Sequence, residues 1–151
     1  MKRSEYEAAA EEVRQMLADA GIPLAPDAVV EVVDFGLGDY RRKGLGIVVR
    51  VNEPEYCSKW LTLLPGQTCI EHYHALKKET FFCHKGVVEL KLPDRTVTLR
   101  PGEQCTLSPG TLHSFSSREG AIIEEVSTHD ENADSIFTDK RVVRDVRIEE
   151  D

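Results

Sequence analysis

The spacing of hydrophobic residues changes along the chain, from a helical period at the start to short alternating runs further on. Ser4 and Glu7 have the spacing of a capping box, and the good helix formers that follow end at Gly21 and Pro23. The pattern therefore predicts one helix within an N-terminal segment of residues 1–30. A valine-rich stretch comes next and fits a helix and a strand equally well, so residues 27–44 stay unassigned.

From about Leu45 onward the chain consists of short β-rich runs separated by Gly, Pro, Asn and Asp residues. Such runs are typical of an all-β sandwich or barrel. Alternation is clearest on the two sides of Pro93 and Asp94, so these residues are predicted to form a hairpin tip. The predicted strands are residues 45–51, 57–64, 79–84, 87–92, 96–100, 104–107, 112–116 and 121–127.

The length of 151 residues favours a single domain, residues 1–151. Within it the pattern separates the helical segment 1–30, a barrel over residues 45–127 and a C-terminal extension over residues 128–151. The charged end of that extension, from Arg144 onward, is expected to be a solvated tail.

Charge and composition narrow the class of partner. A formal net charge of -8 argues against nucleic acid, whose recognition requires a basic surface. No stretch approaches the roughly 18 apolar residues of a membrane span, and the first residues turn acidic where a secretory signal needs an apolar run. We therefore expect a cytoplasmic protein with a small-molecule partner. The cysteines lack paired spacing and are predicted to be reduced, buried residues: Cys57, Cys69, Cys83 and Cys105.

Two histidines two residues apart supply the first candidate chemistry. Residues i and i+2 of a strand share a face, so His72 and His74 can reach one ion from one wall of a barrel. Glu79 opens the next predicted strand and can return a carboxylate to the same place, and His113 follows a glycine-rich turn. The histidine pair alone does not distinguish a metal site from two histidines that are close by chance.

The spacing around these residues resembles the cupin superfamily. Its first motif is matched position for position by Gly66, His72, His74, Glu79 and Gly86. The second motif, which runs from Gly102 to His113, departs at Ser108, where cupins usually carry Pro, and at Ser117, where they often carry Asn. The resemblance implies a double-stranded β-helix, or jelly-roll barrel, preceded by the N-terminal helix.

The same resemblance implies a divalent metal held by His72, His74, Glu79 and His113. Three imidazoles and one carboxylate suit Mn, Fe, Co, Ni or Zn better than Ca or Mg. Manganese is the expected ion, with Zn, Co, Ni and Fe as alternatives. No cysteine has the paired spacing of a structural zinc site, which favours a site with open coordination positions for a substrate.

The flanking segments make the chain resemble the D-lyxose isomerases, which are compact cupin sugar isomerases. The likeness covers residues 34–141 and rests on Lys59 in CSKWLTLLPGQ, Lys77 before the ligand glutamate, Glu125 in EEVS, and the segments DFGLGDYRRKGLG and DSIFTDKR. It implies a homodimeric, metal-dependent aldose–ketose isomerase that interconverts D-lyxose and D-xylulose, and also D-mannose and D-fructose, through an enediol.

In that family the residues equivalent to Lys77 and Glu125 form the acid–base pair, and the equivalent of Lys59 lies on the substrate side. Glu124 and Glu125 must face opposite sides of a strand, and the family position selects Glu125. Arg141 is a candidate for holding a sugar hydroxyl. A cupin dioxygenase and a non-catalytic sugar-binding or sensing domain stay open as alternatives, as does a phosphorylated substrate.

Overall fold

The computed structural model describes residues 1–151 and begins with helix α1, Arg3–Asp19. The predicted capping box at Ser4 and Glu7 is wrong, because the N-cap is Lys2, whose N–H donates to the Glu5 carboxylate at 3.3 Å. The predicted end is confirmed. Gly21 has a φ of 73°, and the Ile22 N–H donates to the Leu17 carbonyl at 3.0 Å, which closes a Schellman motif.

Eleven strands follow the helix. They are β1 (Val30–Val33), β2 (Leu45–Asn52), β3 (Cys57–Leu63), β4 (Thr68–His74), β5 (Glu79–Gly86), β6 (Val88–Lys91), β7 (Thr96–Leu99), β8 (Gln104–Leu107), β9 (His113–Ser116), β10 (Ala121–Ser127) and β11 (Ser135–Phe137). All eight predicted strands are present. The unassigned valine-rich stretch is a strand, since Val30–Val33 pairs with β2 in the register Val30 to Val48.

The strands form two antiparallel sheets, so the predicted all-β cupin architecture is confirmed. The six-stranded sheet has the order β1-β2-β3-β10-β5-β8, and the five-stranded sheet has the order β11-β4-β9-β6-β7. The larger hydrophobic core contains side chains from both sheets, including Ile47, Leu61 and Phe115. Val48 follows Ile47 on β2 and faces the other way, into a second core with Val13 and Leu17 of α1. The helix therefore covers the outer face of the six-stranded sheet.

Residues 144–151 are not a solvated tail, as the sequence pattern suggested. The N–H of Arg3 donates to the Glu149 carbonyl at 2.9 Å, and the N–H of Ser4 donates to the Asp151 carboxylate at 2.9 Å. The first turn of a helix has free N–H groups and the positive end of the helix dipole, which attract acceptors and anions. The acidic extension thus caps α1 in place of an N-cap side chain.

Two composition-based expectations concern the cysteines and the membrane. All four cysteines are free, and Cys57, Cys69 and Cys83 are buried while Cys105 is partly exposed. No helix combines the length and the apolar character that crossing a membrane requires.

Candidate metal centre and proton-transfer site

Three histidines from two adjacent strands meet between the sheets. His72 and His74 lie on β4 and His113 begins β9, with His72 and His113 directly opposite each other in the strand register. All three are buried, and one nitrogen of each lies within 4.8 Å of the other two. The structure therefore brings together the three histidines that the motif predicted, in an arrangement that could hold a metal ion.

Backbone carbonyls fix which nitrogen of each ring faces the centre. The Nδ1 atoms of His72, His113 and His74 lie 2.8, 2.9 and 3.2 Å from the carbonyl oxygens of Ile70, Thr111 and Asp134. A carbonyl only accepts, so each Nδ1 carries a proton and each Nε2 keeps a free lone pair. This is the usual outer-shell arrangement of metal-binding histidines.

Burial keeps the imidazoles of His72 and His74 neutral. It lowers the pKa of His72 well below its usual range, with a further contribution from the neighbouring His113 and His74. Burial and the Lys77 charge lower the pKa of His74 to about 4. Neutral imidazole is the form that binds metals, so both rings are ready for an ion at neutral pH.

Glu79, at the start of β5, is the predicted fourth donor and lies beside two of the histidines. Its Oε1 lies 3.1 Å from His113 Nε2 and 3.5 Å from His74 Nε2. Both Glu79 oxygens and His113 Nε2 are buried without a hydrogen-bond partner. Burial and the nearby Glu125 charge raise the pKa of Glu79 to about 7. A divalent cation would satisfy these orphaned atoms, and the mixed nitrogen and oxygen set fits a first-row transition metal.

Lys77 reaches the same place from the loop between β4 and β5. Its Nζ lies 2.8 Å from Asp130 Oδ1, 3.2 Å from Glu125 Oε1 and 3.2 Å from Glu79 Oε2. Burial alone would lower the pKa of Lys77, but the three carboxylates outweigh it and raise the pKa above its usual value. Lys77 is therefore a buried ammonium group beside three carboxylates, and it donates hydrogen bonds to Glu125 and Asp130.

Glu125 faces the interior from β10, as predicted. Burial would raise its pKa, but Lys77 and Lys59 together hold the pKa of this carboxyl below its usual range. Its Oε1 accepts a hydrogen bond from Lys77, whereas its Oε2 is buried without any hydrogen-bond partner. One oxygen of an ionised carboxylate thus remains free beside the metal ligands.

Lys59 is also buried at this site, where its Nζ donates to Asp130 Oδ2 at 2.7 Å. Asp130 was missed in the sequence because it lies in the turn after β10 and belongs to no motif. Its place immediately beyond the strand that carries Glu125 was the one signal that could have directed attention to it.

Arg141 does not reach the site. Its side chain is 75% exposed and pairs with Asp139 at 2.7 Å. Arg144, which the sequence left in the tail, lines the cavity instead, and its guanidinium pairs with Glu31 at 3.0 and 3.1 Å. The chain turns between the two arginines, and residue spacing alone gave no sign of which one faces inward.

His72, His74 and Glu79 line one cavity between the two sheets, together with the charged residues Lys59, Lys77, Glu125, Asp130 and Arg144. Its other walls are apolar and include Val33, Phe35, Ile47, Leu61 and Phe137. Apolar walls around convergent polar groups are typical of a small-molecule site.

Comparison with known proteins identifies the family. Residues 59–126 match the Cupin domain family. The chain is 38% identical to the D-lyxose/D-mannose isomerase of Thermosediminibacter oceani in an alignment that covers 99% of both proteins. The chain belongs to the D-lyxose isomerase family. The D-lyxose ketol-isomerase of Cohnella laeviribosi, another member, is 38% identical and aligns with 95% of this chain and 96% of its own length.

Membership of the D-lyxose isomerase family confirms the predicted sugar isomerase. Among solved structures, a variant of the L-ribose isomerase of Acinetobacter sp. DL28 in complex with L-ribose superposes with a TM-score of 0.83. The superposition covers 99% of this chain and 98% of that one at 16% identity, which shows that the fold is shared.

Proposed function

We propose that this isomerase interconverts D-lyxose and D-xylulose, and also D-mannose and D-fructose, with a divalent ion held by His72, His74, Glu79 and His113. Manganese is the ion we expect. The observation that carries the proposal is the buried Glu125 carboxylate, whose Oε1 lies 3.2 Å from the buried Lys77 ammonium group while its Oε2 has no hydrogen-bond partner. The names of the relatives support the choice of sugars.

The reaction moves a proton between C1 and C2 of the sugar. A bound divalent ion would act as a Lewis acid towards the sugar oxygens and would stabilise negative charge that develops on them. Glu125 takes the proton from C2 and delivers it to C1. Lys77, as an ammonium group, donates a proton to O1 and recovers one from O2, so that no net proton is consumed.

The cavity supports an uncharged sugar over a sugar phosphate. Its three cations are Lys59, Lys77 and Arg144, and each already pairs with at least one carboxylate. A phosphate group would have to break one of these pairs, and an unpaired buried carboxylate costs several kcal/mol. The apolar walls around the polar cluster suit the carbon face of a free sugar.

Localisation and assembly are part of the same proposal. Family likeness supports a cytoplasmic homodimer. Light scattering coupled to size-exclusion chromatography measures the assembly directly, and a monomer at all concentrations would contradict that part.

An assay in D₂O tests the reaction itself. The protein is incubated with Mn²⁺ and either D-lyxose or D-mannose, and the products are followed by NMR. We expect the corresponding ketose and incorporation of deuterium from solvent at the carbon that receives the proton. An absence of conversion across free and phosphorylated sugars would refute the proposal. Oxygen uptake dependent on Fe²⁺ would indicate a dioxygenase, and saturable sugar binding without turnover would indicate a sensor.

A further inference from the structure

Asp130 contacts both buried lysines of the site but belongs neither to the four metal donors nor to the acid–base pair. We infer that Asp130 is a positioning residue, which holds Lys77 against Glu125 and keeps Lys59 away from the free oxygen of Glu125. This inference rests on the proposed function, because it assigns a role within the same reaction.

The distances show which carboxylate fixes the lysines. Lys77 Nζ lies 2.8 Å from Asp130 and 3.2 Å from Glu125, and Lys59 Nζ lies 2.7 Å from Asp130 and 3.8 Å from Glu125. Asp130 makes the shorter contact with each lysine and uses a different oxygen for each. The two lysines and two carboxylates thus form one cluster, in which Asp130 makes the closest contact with each lysine.

The free oxygen of Glu125 depends on this arrangement. Lys59 is a buried cation, with only 7% of its side chain exposed, and a buried cation is costly without an anion. If Asp130 lost its charge, the carboxylate available to Lys59 would be Glu125, whose Oε2 is only 3.8 Å away. A close ion pair there would occupy the lone pairs that accept the sugar proton.

The backbone of Asp130 is itself held in place. Its N–H donates to the Asn52 side-chain oxygen at 3.1 Å, and its carbonyl accepts from the Asn52 amide at 2.9 Å. Asn52 is the last residue of β2, so the turn after β10 is tied to the six-stranded sheet at this point. The two hydrogen bonds with Asn52 therefore hold the Asp130 backbone where its carboxylate reaches both lysines.

The test compares Asp130→Asn, which keeps the shape and removes the charge, with Asp130→Glu, which keeps the charge. Asn52→Ala removes the anchor alone, and Glu131→Gln is the matched control because that neighbouring carboxylate is exposed and contacts neither lysine. For each variant, kcat and KM on D-lyxose, bound Mn²⁺ and the melting temperature are measured. Reductive methylation with peptide mass spectrometry reports lysine protection, with exposed Lys78 as the internal reference.

We expect Asp130→Asn to keep its metal and its fold while kcat falls by roughly 100-fold or more, since the acid–base pair is disturbed. Methylation of Lys59 and Lys77 should rise relative to Lys78. Asp130→Glu should recover part of kcat, Asn52→Ala should lose less than Asp130→Asn, and Glu131→Gln should behave as the unchanged protein.

The outcomes separate the two proposals. If Asp130→Asn retains kcat, or loses it no more than Glu131→Gln does, the role of Asp130 is refuted even though the enzyme isomerises D-lyxose. An equal loss of kcat and thermal stability in Asp130→Asn and Asp130→Glu, with unchanged lysine methylation, would refute positioning as well. If the unchanged protein shows no turnover, the proposed function fails, and the methylation pattern still decides whether Asp130 holds the lysines.

Discussion

At the scale of single residues, Glu124 and Glu125 show how strand register decides a role. The two carboxylates are adjacent on β10, where Glu124 lies opposite Trp60 and Glu125 lies opposite Lys59. Glu124 pairs with Arg50 at 2.7 Å on the outer face, and the Arg50 guanidinium lies 4.7 Å above the Trp60 ring. The side chain on one face is structural, and the side chain on the other is proposed to move the proton.

This contrast gives a matched pair of variants. Glu125→Gln removes the proposed base while keeping its shape, so we expect kcat to fall by roughly 10²- to 10⁴-fold with the metal retained. Glu124→Gln removes the same charge one residue away and should leave kcat nearly unchanged. Steady-state kinetics and metal analysis of both proteins make the comparison, and near-normal activity of Glu125→Gln would remove that residue from the mechanism.

At the scale of elements, one aspartate organises the loop between β4 and β5. The Asp134 carboxylate accepts hydrogen bonds from the N–H groups of Ala75, Leu76 and Lys77 at 3.0 to 3.1 Å. The Asp134 carbonyl accepts from His74 at 3.2 Å. A single 3-10 turn, Asn132–Asp134, therefore orients both a metal donor and the loop that carries the proposed acid.

Replacing this aspartate should loosen the loop without removing any donor. We expect Asp134→Ala to lower the free energy of unfolding by about 1–3 kcal/mol, because three N–H groups lose their acceptor. Amide exchange at residues 75–77 should accelerate in the same variant. Asp94→Ala, at an exposed hairpin tip, is the control. Unchanged exchange at residues 75–77 would show that the loop does not need Asp134.

Substitution of the two glycines of the first motif would distinguish the cost of backbone strain from the cost of a steric clash. Gly86 and Gly66 have φ values of +80° and +76°, but a Cβ at Gly86 would lie 2.2 Å from the Gly120 carbonyl oxygen, and at Gly66 it would meet nothing within 4 Å. Gly66→Ala should cost about 1–2 kcal/mol from the left-handed backbone alone. Gly86→Ala should lower the free energy of unfolding clearly more. If urea unfolding gave equal losses for the two variants, the turn at Gly86 would be able to relax around the added Cβ.

Strands could be predicted from the sequence where hydrophobic and polar residues alternate along them. Thr68–His74 was not among the predicted runs because Glu71, His72 and His74 interrupt its apolar positions, and the strand was inferred only from the histidine spacing. Val30–Val33 has a buried residue at three of its four positions, so no period separated strand from helix. Pairing with β2, which lies more than ten residues away, decides its structure.

The candidate site was predictable where a motif carries it. Spacing placed the four donors, and family likeness placed Lys59, Lys77 and Glu125, which the structure brings together. Asp130 and Asp134 lie 53 and 57 residues from Lys77 and contact it only through the fold. The spacing around an isolated aspartate does not show whether it is buried at a site or solvated. The sequence likewise carries no signal that the chain turns inward at Arg144.

At the scale of the whole molecule, the site joins the two sheets. All three histidines lie on β4 and β9 of the five-stranded sheet, whereas Glu79, Lys59 and Glu125 lie on β5, β3 and β10 of the six-stranded sheet. An ion held by the histidines and Glu79 would therefore link one sheet to the other.

Metal loading should accordingly stabilise the whole protein. A ligand at 100 times its Kd adds about 2.7 kcal/mol, which corresponds to a rise in Tm of roughly 5–10 °C for a chain of this size. Scanning calorimetry with Mn²⁺ and with EDTA measures the difference. His72→Ala should lose most of this shift, whereas His129→Ala, which replaces an exposed histidine, should keep it. A Tm independent of Mn²⁺ in the unchanged protein would contradict the predicted site.

The three imidazoles lie on one sheet, and Glu125 and Lys59 lie on the other, which has a consequence for how such an enzyme can change. Substitutions on β4 and β9 alter the imidazole donors while leaving Glu125 and Lys59 on the other sheet. Substitutions on β3 and β10, and at the Arg144–Glu31 pair in the wall, alter the fit of the sugar while leaving the imidazoles aimed by their carbonyls. A designer, or natural selection, can therefore vary the imidazole donors of this barrel through one sheet and the fit of its sugar through the other, with Glu79 as the donor on the second sheet.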